Sequence, residues 1–185
     1  NFRPSTRATI GLSFDFNEST DDSQWYGNFV DGGGTTHYSF AHLEQTTVAP
    51  PDLSSPDFRG YHVGDDGLRD VTDDLLAFGN GGNGGVISTA PDLVVLLRHI
   101  IGGDALDPEL VRLLTTPTAE SGGTYGLGIA TYHLTCGTFF GHAGSVNGTQ
   151  SIALVSPDAT TAVVVAINGR RNEDPGLAAV ADDLV

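Results

Sequence analysis

Four strand-like segments between Tyr125 and Asn168, two capped helical segments before them and an amphipathic C-terminus together predict an α+β domain. The expected order is helices with a partial helical lobe, then an antiparallel meander, then a terminal helix packed on the sheet. At 185 residues the chain has room for one domain, or at most two small ones, with a real core.

Residues 1–48 are polar and show no clear period; they hold Asp21-Asp22-Ser23, the lone Trp25 and Gly32-Gly33-Gly34. Residues 49–85 are rich in turn signals, among them Gly64-Asp65-Asp66-Gly67 and the run from Gly79 to Gly85, which reads as a long flexible loop. A helix is predicted after Ser88 or Thr89 as cap, with Pro91 in the first turn and Asp92 at the positive end. Leu93, Leu96, Leu97, Ile100 and Ile101 recur at helical spacing, and Gly102 stops the run. Asp107 and Pro108 start a second helix carrying Leu110, Val111, Leu113 and Leu114.

Strands are predicted over 125–134, 136–142, 149–156 and 161–168, with Ser156-Pro157-Asp158-Ala159 as a turn. The unbroken apolar run from Ala162 to Ile167 suggests a strand covered on both faces. A closing helix over 175–184 starts at Glu173 or Asp174 and aligns Leu177, Val180, Ala181 and Leu184 on one face.

Composition narrows the function. Acidic residues number 23 against 8 basic ones, for a formal charge of -15, and all eight cations are arginine. Such a chain repels phosphate backbones and anionic lipid surfaces, so neither nucleic acid nor a membrane surface is an expected partner. No apolar run approaches the roughly 18 residues of a spanning helix. Without lysine there is no P-loop, no Schiff-base lysine and no Ser-x-x-Lys nucleophile within these residues. Cys136 stands alone, which excludes an internal disulfide and a cysteine-based zinc site. The histidines make no metal-hydrolase pairing, the aspartates from Asp65 to Asp74 do not match a calcium loop and read as a solvated face, and no Gly-x-Ser-x-Gly elbow occurs. No metal or cofactor is expected.

The most informative segment is Phe139-Phe140-Gly141-His142-Ala143-Gly144-Ser145-Val146-Asn147-Gly148. Its histidine ends an apolar strand between glycines that let a ligand approach the backbone. Such an edge can offer N–H groups to a carbonyl oxygen, and its histidine can hold an anion or move a proton. A structural histidine beside a tight turn is the other reading.

The order of several segments adds to this: Leu43 through Pro51, Arg59-Gly60-Tyr61, Asp70-Val71-Thr72, Gly84 through Leu93, Tyr125-Gly126-Leu127-Gly128, Gly141-His142-Ala143-Gly144, Ser156-Pro157-Asp158 and Val165 through Asn168. Over residues 43–185 the chain resembles the C-terminal half of the serine β-lactamase-related family, which includes class C β-lactamases, D-alanyl-D-alanine carboxypeptidases and esterases. Within it, Leu134-Thr135-Cys136-Gly137 is similar to secreted actinomycete carboxypeptidases; residues 1–42 match poorly and read as irregular.

The resemblance implies an incomplete β-lactamase/transpeptidase-like fold, with the Ser-x-x-Lys pair on a missing N-terminal part. It implies acyl-enzyme hydrolysis of a small peptide, β-lactam or ester, in an extracellular or cell-envelope setting. His142-Ala143-Gly144 matches the family's Lys/His-Thr-Gly element, which gives His142 a substrate-binding or proton-tuning role. Gly144 and Ser145 would line the oxyanion site, the Ser145 N–H being one donor. Ala143 replaces the usual hydroxyl residue, and no arginine lies between Arg112 and Arg170, so an ester or amide lacking a carboxylate fits as well. Tyr26-Gly27-Asn28 has the spacing of the family's Tyr-x-Asn element. A catalytically inactive remnant that binds a ligand or partner is the alternative, and an unrelated binding domain a third reading.

Overall fold

The computed structural model describes residues 12–13, 25–31, 34–40, 43, 46–48, 59–75, 86–103, 106–170 and 177–185. In chain order the elements are β1 (Leu12–Ser13), β2 (Trp25–Asp31), β3 (Gly34–Phe40), β4 (Thr47–Val48), β5 (Tyr61–Gly64), β6 (Gly67–Asp70) and α1 (Thr72–Leu75). Then come β7 (Val86–Ile87), α2 (Ala90–Gly102), α3 (Pro108–Thr115), β8 (Ala130–Leu134), β9 (Gly137–Val146), β10 (Thr149–Val155), β11 (Ala162–Ile167), β12 (Gly169–Arg170) and α4 (Ala178–Asp182).

The meander is present: β8, β9, β10 and β11 pair antiparallel with sequence neighbours side by side. Both faces of this sheet are covered. On one, Leu97 and Ile101 of α2 pack on Ala153 and Val155, with Phe140, Ala162 and Val164 around them. On the other, Leu177 and Ala181 at α4 pack on Phe139, Ile152, Leu154 and Val163. Ile152, Leu154 and Val155 of β10 are almost wholly shielded from water, and each such burial contributes about 2 kcal/mol. The apolar run of β11 is covered on both faces as far as Val165, and Ala166 and Ile167 emerge into solvent.

The helix starts follow their caps. The Thr89 hydroxyl accepts from the Asp92 N–H at α2, and the Asp107 carboxylate accepts from the Glu109 N–H at α3, where Pro108 leads the first turn. Asp92 is buried and accepts a 2.6 Å hydrogen bond from the Thr46 hydroxyl, which ties the β4 side to the helix start. Helix α4 is shorter than predicted. It ends at Asp182, so only Leu177 and Ala181 of the expected face are buried, while Val180 and Leu184 are exposed. The predicted start at Glu173 or Asp174 and the glycine run 79–85 lie outside the described residues.

Two strands differ from expectation in a way that matters for the site. The first predicted strand forms only from Ala130, with Tyr125 held back against it by an isolated bridge. Strand β9 does not stop at His142 but continues to Val146, because Ala143 through Val146 find partners Ile152 through Thr149 on β10. The small residues of that stretch have weak strand propensity, and the ladder overrides it. Asn147-Gly148 then makes a two-residue turn.

That turn abuts a second sheet, β12-β5-β6, in which Asp65-Asp66 link β5 to β6. Tyr61 N–H donates to the Gly148 carbonyl at 3.0 Å, and Asn147 Nδ2 donates to Asp74 at 3.0 Å. Gly148 has φ +85, and a side chain there would meet Val71 and the Gly60 backbone. Asp70 accepts from the backbone and hydroxyl of Thr72 and pairs with Arg59 at 2.9 Å. Those Thr72 hydrogen bonds, then Arg59, hold the Asp70 carboxyl below its ordinary value. Residues 25–31 and 34–40, where no period is legible, form the antiparallel pair β2–β3 with β1 beside it, and Tyr26-Gly27-Asn28 lies within β2 opposite Ser39, Tyr38 and His37.

Candidate active site

Strand β9 changes character along its length. Phe139 and Gly141 are buried, whereas His142, Ala143, Gly144 and Ser145 are exposed in succession. The cause is the early end of β8, whose last partner on β9 is Gly141, facing Ala130. Beyond that pair, among the described residues, β9 has a neighbour on the β10 side only.

The register says which backbone groups that edge presents. Val146 and Thr149 close the two-residue turn and therefore form a hydrogen-bonded pair, after which bonded and non-bonded pairs alternate. His142 and Gly144 thus direct their N–H and C=O toward β10. Ala143 and Ser145 direct theirs to the open side. The Ser145 N–H stands on a strand held in register by β10 and needs no reorganisation to meet an incoming oxygen.

His142 lies on the α2 side of the sheet, across from Ala153. Its Nδ1 sits 2.6 Å from the Ala143 carbonyl oxygen and its Nε2 sits 2.8 Å from the Tyr125 hydroxyl. A carbonyl can only accept, so Nδ1 carries the hydrogen. In the neutral ring Nε2 then accepts, and Tyr125 donates. The two rings meet edge to face, 5.6 Å between centroids at 80°.

Tyr125 is the functional candidate that sequence reading left without a role. The histidine and its glycines are visible as a local pattern; the tyrosine stands 17 residues away and joins them only because the chain doubles back before β8. The Gly126 that follows gives a partial signal. A side chain there would collide with the Leu114 carbonyl at the end of α3, so the tyrosine is seated by close backbone approach. Tyr132, on the next strand, packs instead into the α4-side core, and burial, then the nearby Tyr125, pushes its hydroxyl above the ordinary tyrosine value.

The remaining histidines do not join the site. His133 faces Thr138 at the far end of the β8–β9 hairpin, His62 is on β5 and His99 near the end of α2. His37 is in β3, and His42 lies outside the described residues. No group of three or more metal-binding side chains is present among the described residues. Among them, too, no helix is long and apolar enough to cross a membrane.

Comparison with known proteins bears on this arrangement. The beta-lactamase family model matches residues 33–185. A D-stereospecific amidohydrolase from Streptomyces sp. is 26% identical with a TM-score of 0.56, over 69% of this chain and 40% of that one. A D-amino acid amidase from Ochrobactrum anthropi SV3, complexed with L-phenylalanine amide, is 21% identical with a TM-score of 0.60, over 74% of this chain and 43% of that one. The same amidase complexed with L-phenylalanine reaches a TM-score of 0.62 at 20% identity, over 77% and 47%. The amidase likeness is one of fold, and the chain spans less than half the length of each of these proteins.

Proposed function

Because the chain belongs to the beta-lactamase family, we propose that it forms the sheet wall of a serine-hydrolase site that cleaves amide or ester bonds through an acyl-enzyme. The observation that carries this reading is the exposed stretch His142–Ser145 on the uncovered edge of an otherwise buried strand.

In the proposed reaction a serine hydroxyl adds to the substrate carbonyl carbon, and its proton passes to a neighbouring base. The carbonyl oxygen takes up negative charge and accepts the Ser145 N–H, a contact worth about 10²–10³ in rate for one such donor. The C–N or C–O bond then breaks, the leaving amine or alcohol takes the proton, and water hydrolyses the resulting ester. The 185 residues contain no lysine, so the Ser-x-x-Lys pair of this reading is supplied by other residues of the polypeptide.

The substrate class we infer is an amide or ester without a free carboxylate, for which an amide of a D-amino acid is the model compound. Ala143 brings no hydroxyl to the edge, and between Arg112 and Arg170 the only basic side chains are His133 and His142. His133 faces Thr138 at the far end of the β8–β9 hairpin, which leaves His142 as the one basic side chain of that stretch at the exposed edge. The amidohydrolase and amidase activities of the relatives are in keeping with this choice.

The test is labelling of the whole encoded polypeptide with a fluorescent penicillin, together with hydrolysis of D-phenylalanine amide and of a peptide ending in D-alanyl-D-alanine. Covalent labelling and preference for the amide are expected. The absent lysine also favours a second reading, an inactive remnant that binds ligands, and a polypeptide that neither labels nor hydrolyses would establish that instead.

A further inference from the structure

A free histidine side chain in water prefers its hydrogen on Nε2, and the contacts of His142 assign it to Nδ1. Two contacts impose the reversal. The Ala143 carbonyl, directed by the register to the open side of β9, draws Nδ1–H onto itself at 2.6 Å. The Tyr125 hydroxyl occupies Nε2 at 2.8 Å.

Tyr125 is held as a post. Its carbonyl accepts the Thr118 N–H at 2.9 Å, its own N–H donates to the Ser121 hydroxyl at 3.0 Å, and it bridges to Ala130 at the first residue of β8. Gly126 beside it fits against Leu114 only without a side chain. These contacts fix the Tyr125 backbone at the place where β8 leaves β9, and from there its hydroxyl reaches His142.

We propose that Tyr125 is the positioning residue of this site: its hydroxyl holds the His142 ring against the Ala143 carbonyl, which fixes the Nδ1–H tautomer and keeps the ring on the open edge that leads to Ser145. Its use in catalysis rests on the acyl-transfer reading above; its effect on His142 does not.

The experiment is long-range ¹H–¹⁵N correlation of the histidine rings in the whole encoded polypeptide, above the pH range in which histidine is protonated. A His142→Ala spectrum assigns the resonance. The Nδ1–H form is expected in the wild type. Tyr125→Phe keeps the aromatic ring and removes only the donor, and should return His142 to a mixture dominated by Nε2–H. Tyr132→Phe should leave the Nδ1–H form in place. An Nε2–H ring in the wild type, or a Tyr125→Phe spectrum unchanged from it, overturns the proposal.

On D-phenylalanine amide, Tyr125→Phe should lower kcat about tenfold with KM nearly unchanged, the scale of one neutral hydrogen bond. An equal kcat loss in Tyr132→Phe would mark the effect as general loosening and count against the assignment. A wild type that hydrolyses nothing would remove the acyl-transfer reading, while the tautomer spectra would still decide for or against Tyr125.

Discussion

In the proposed reaction Ser145 contributes a backbone group, so changing its side chain is a weak test of it. Proline is the informative substitution. The Ser145 N–H points away from β10, so Ser145→Pro sacrifices no bond of the described ladder, and an edge position tolerates proline. The expected result is a protein that keeps its circular dichroism and thermal midpoint but acylates about 10²–10³-fold more slowly. If acylation stays within a few-fold of wild type, Ser145 is not an oxyanion donor. At this scale the sequence was half legible. His142 between glycines marks a place of close approach, and the absence of lysine limits the chemistry. The role of Tyr125 was not legible, because Gly126 marks only a close backbone approach and the histidine it meets stands 17 residues away.

The β9–β10 hairpin is the element that carries the site. Asn-Gly between two apolar runs is a strong turn signal, and it lies where the structure has the turn. The length of β9 was misread because glycine and alanine interrupt the strand period after Gly141. Pairing with Gln150, Ser151 and Ile152 across the Asn147-Gly148 turn overrides that interruption. The turn also docks on the second sheet through Asn147, Asp74 and Tyr61. Gly148→Ala would impose a left-handed conformation on alanine and drive its methyl into Val71. A loss of about 2 kcal/mol is expected, which for a protein of this size is a fall of roughly 5 °C in Tm by calorimetry. An unchanged Tm would mean that the hairpin tip is not held against β5. Conversely, α2 and α3 were legible almost to the residue. Thr89 and Asp107 cap them through contacts only two or three residues long, which no distant part of the chain needs to supply.

In the molecule as a whole, the four-stranded sheet has two unequal edges among the described residues. One is the partly uncovered β9 with β8 beside it. The other is β11, which pairs only with β10 and leaves Ile167 exposed. An uncovered apolar edge weakens independent folding. The isolated 185-residue chain is therefore expected to unfold in a broad transition, with circular dichroism and Trp25 fluorescence failing to coincide. A sharp, coincident transition would show that the chain is a self-sufficient cooperative unit. It is also expected to show no amidase turnover alone, having no lysine for the nucleophile pair.

By itself the sequence determined the α+β order, the caps, the meander and the glycine-flanked histidine, because each depends on periodicity or on contacts a few residues long. It also carried the family likeness, through segments in a fixed order. Only the tertiary structure decided where β8 stops pairing with β9, and hence which backbone groups remain uncovered and which tyrosine meets His142. Those outcomes depend on the hydrogen-bond register of β9 and on a contact between residues 17 apart, and a shift of one residue in register would turn the Ser145 N–H inward and put the groups of His142 and Gly144 on the open side in its place.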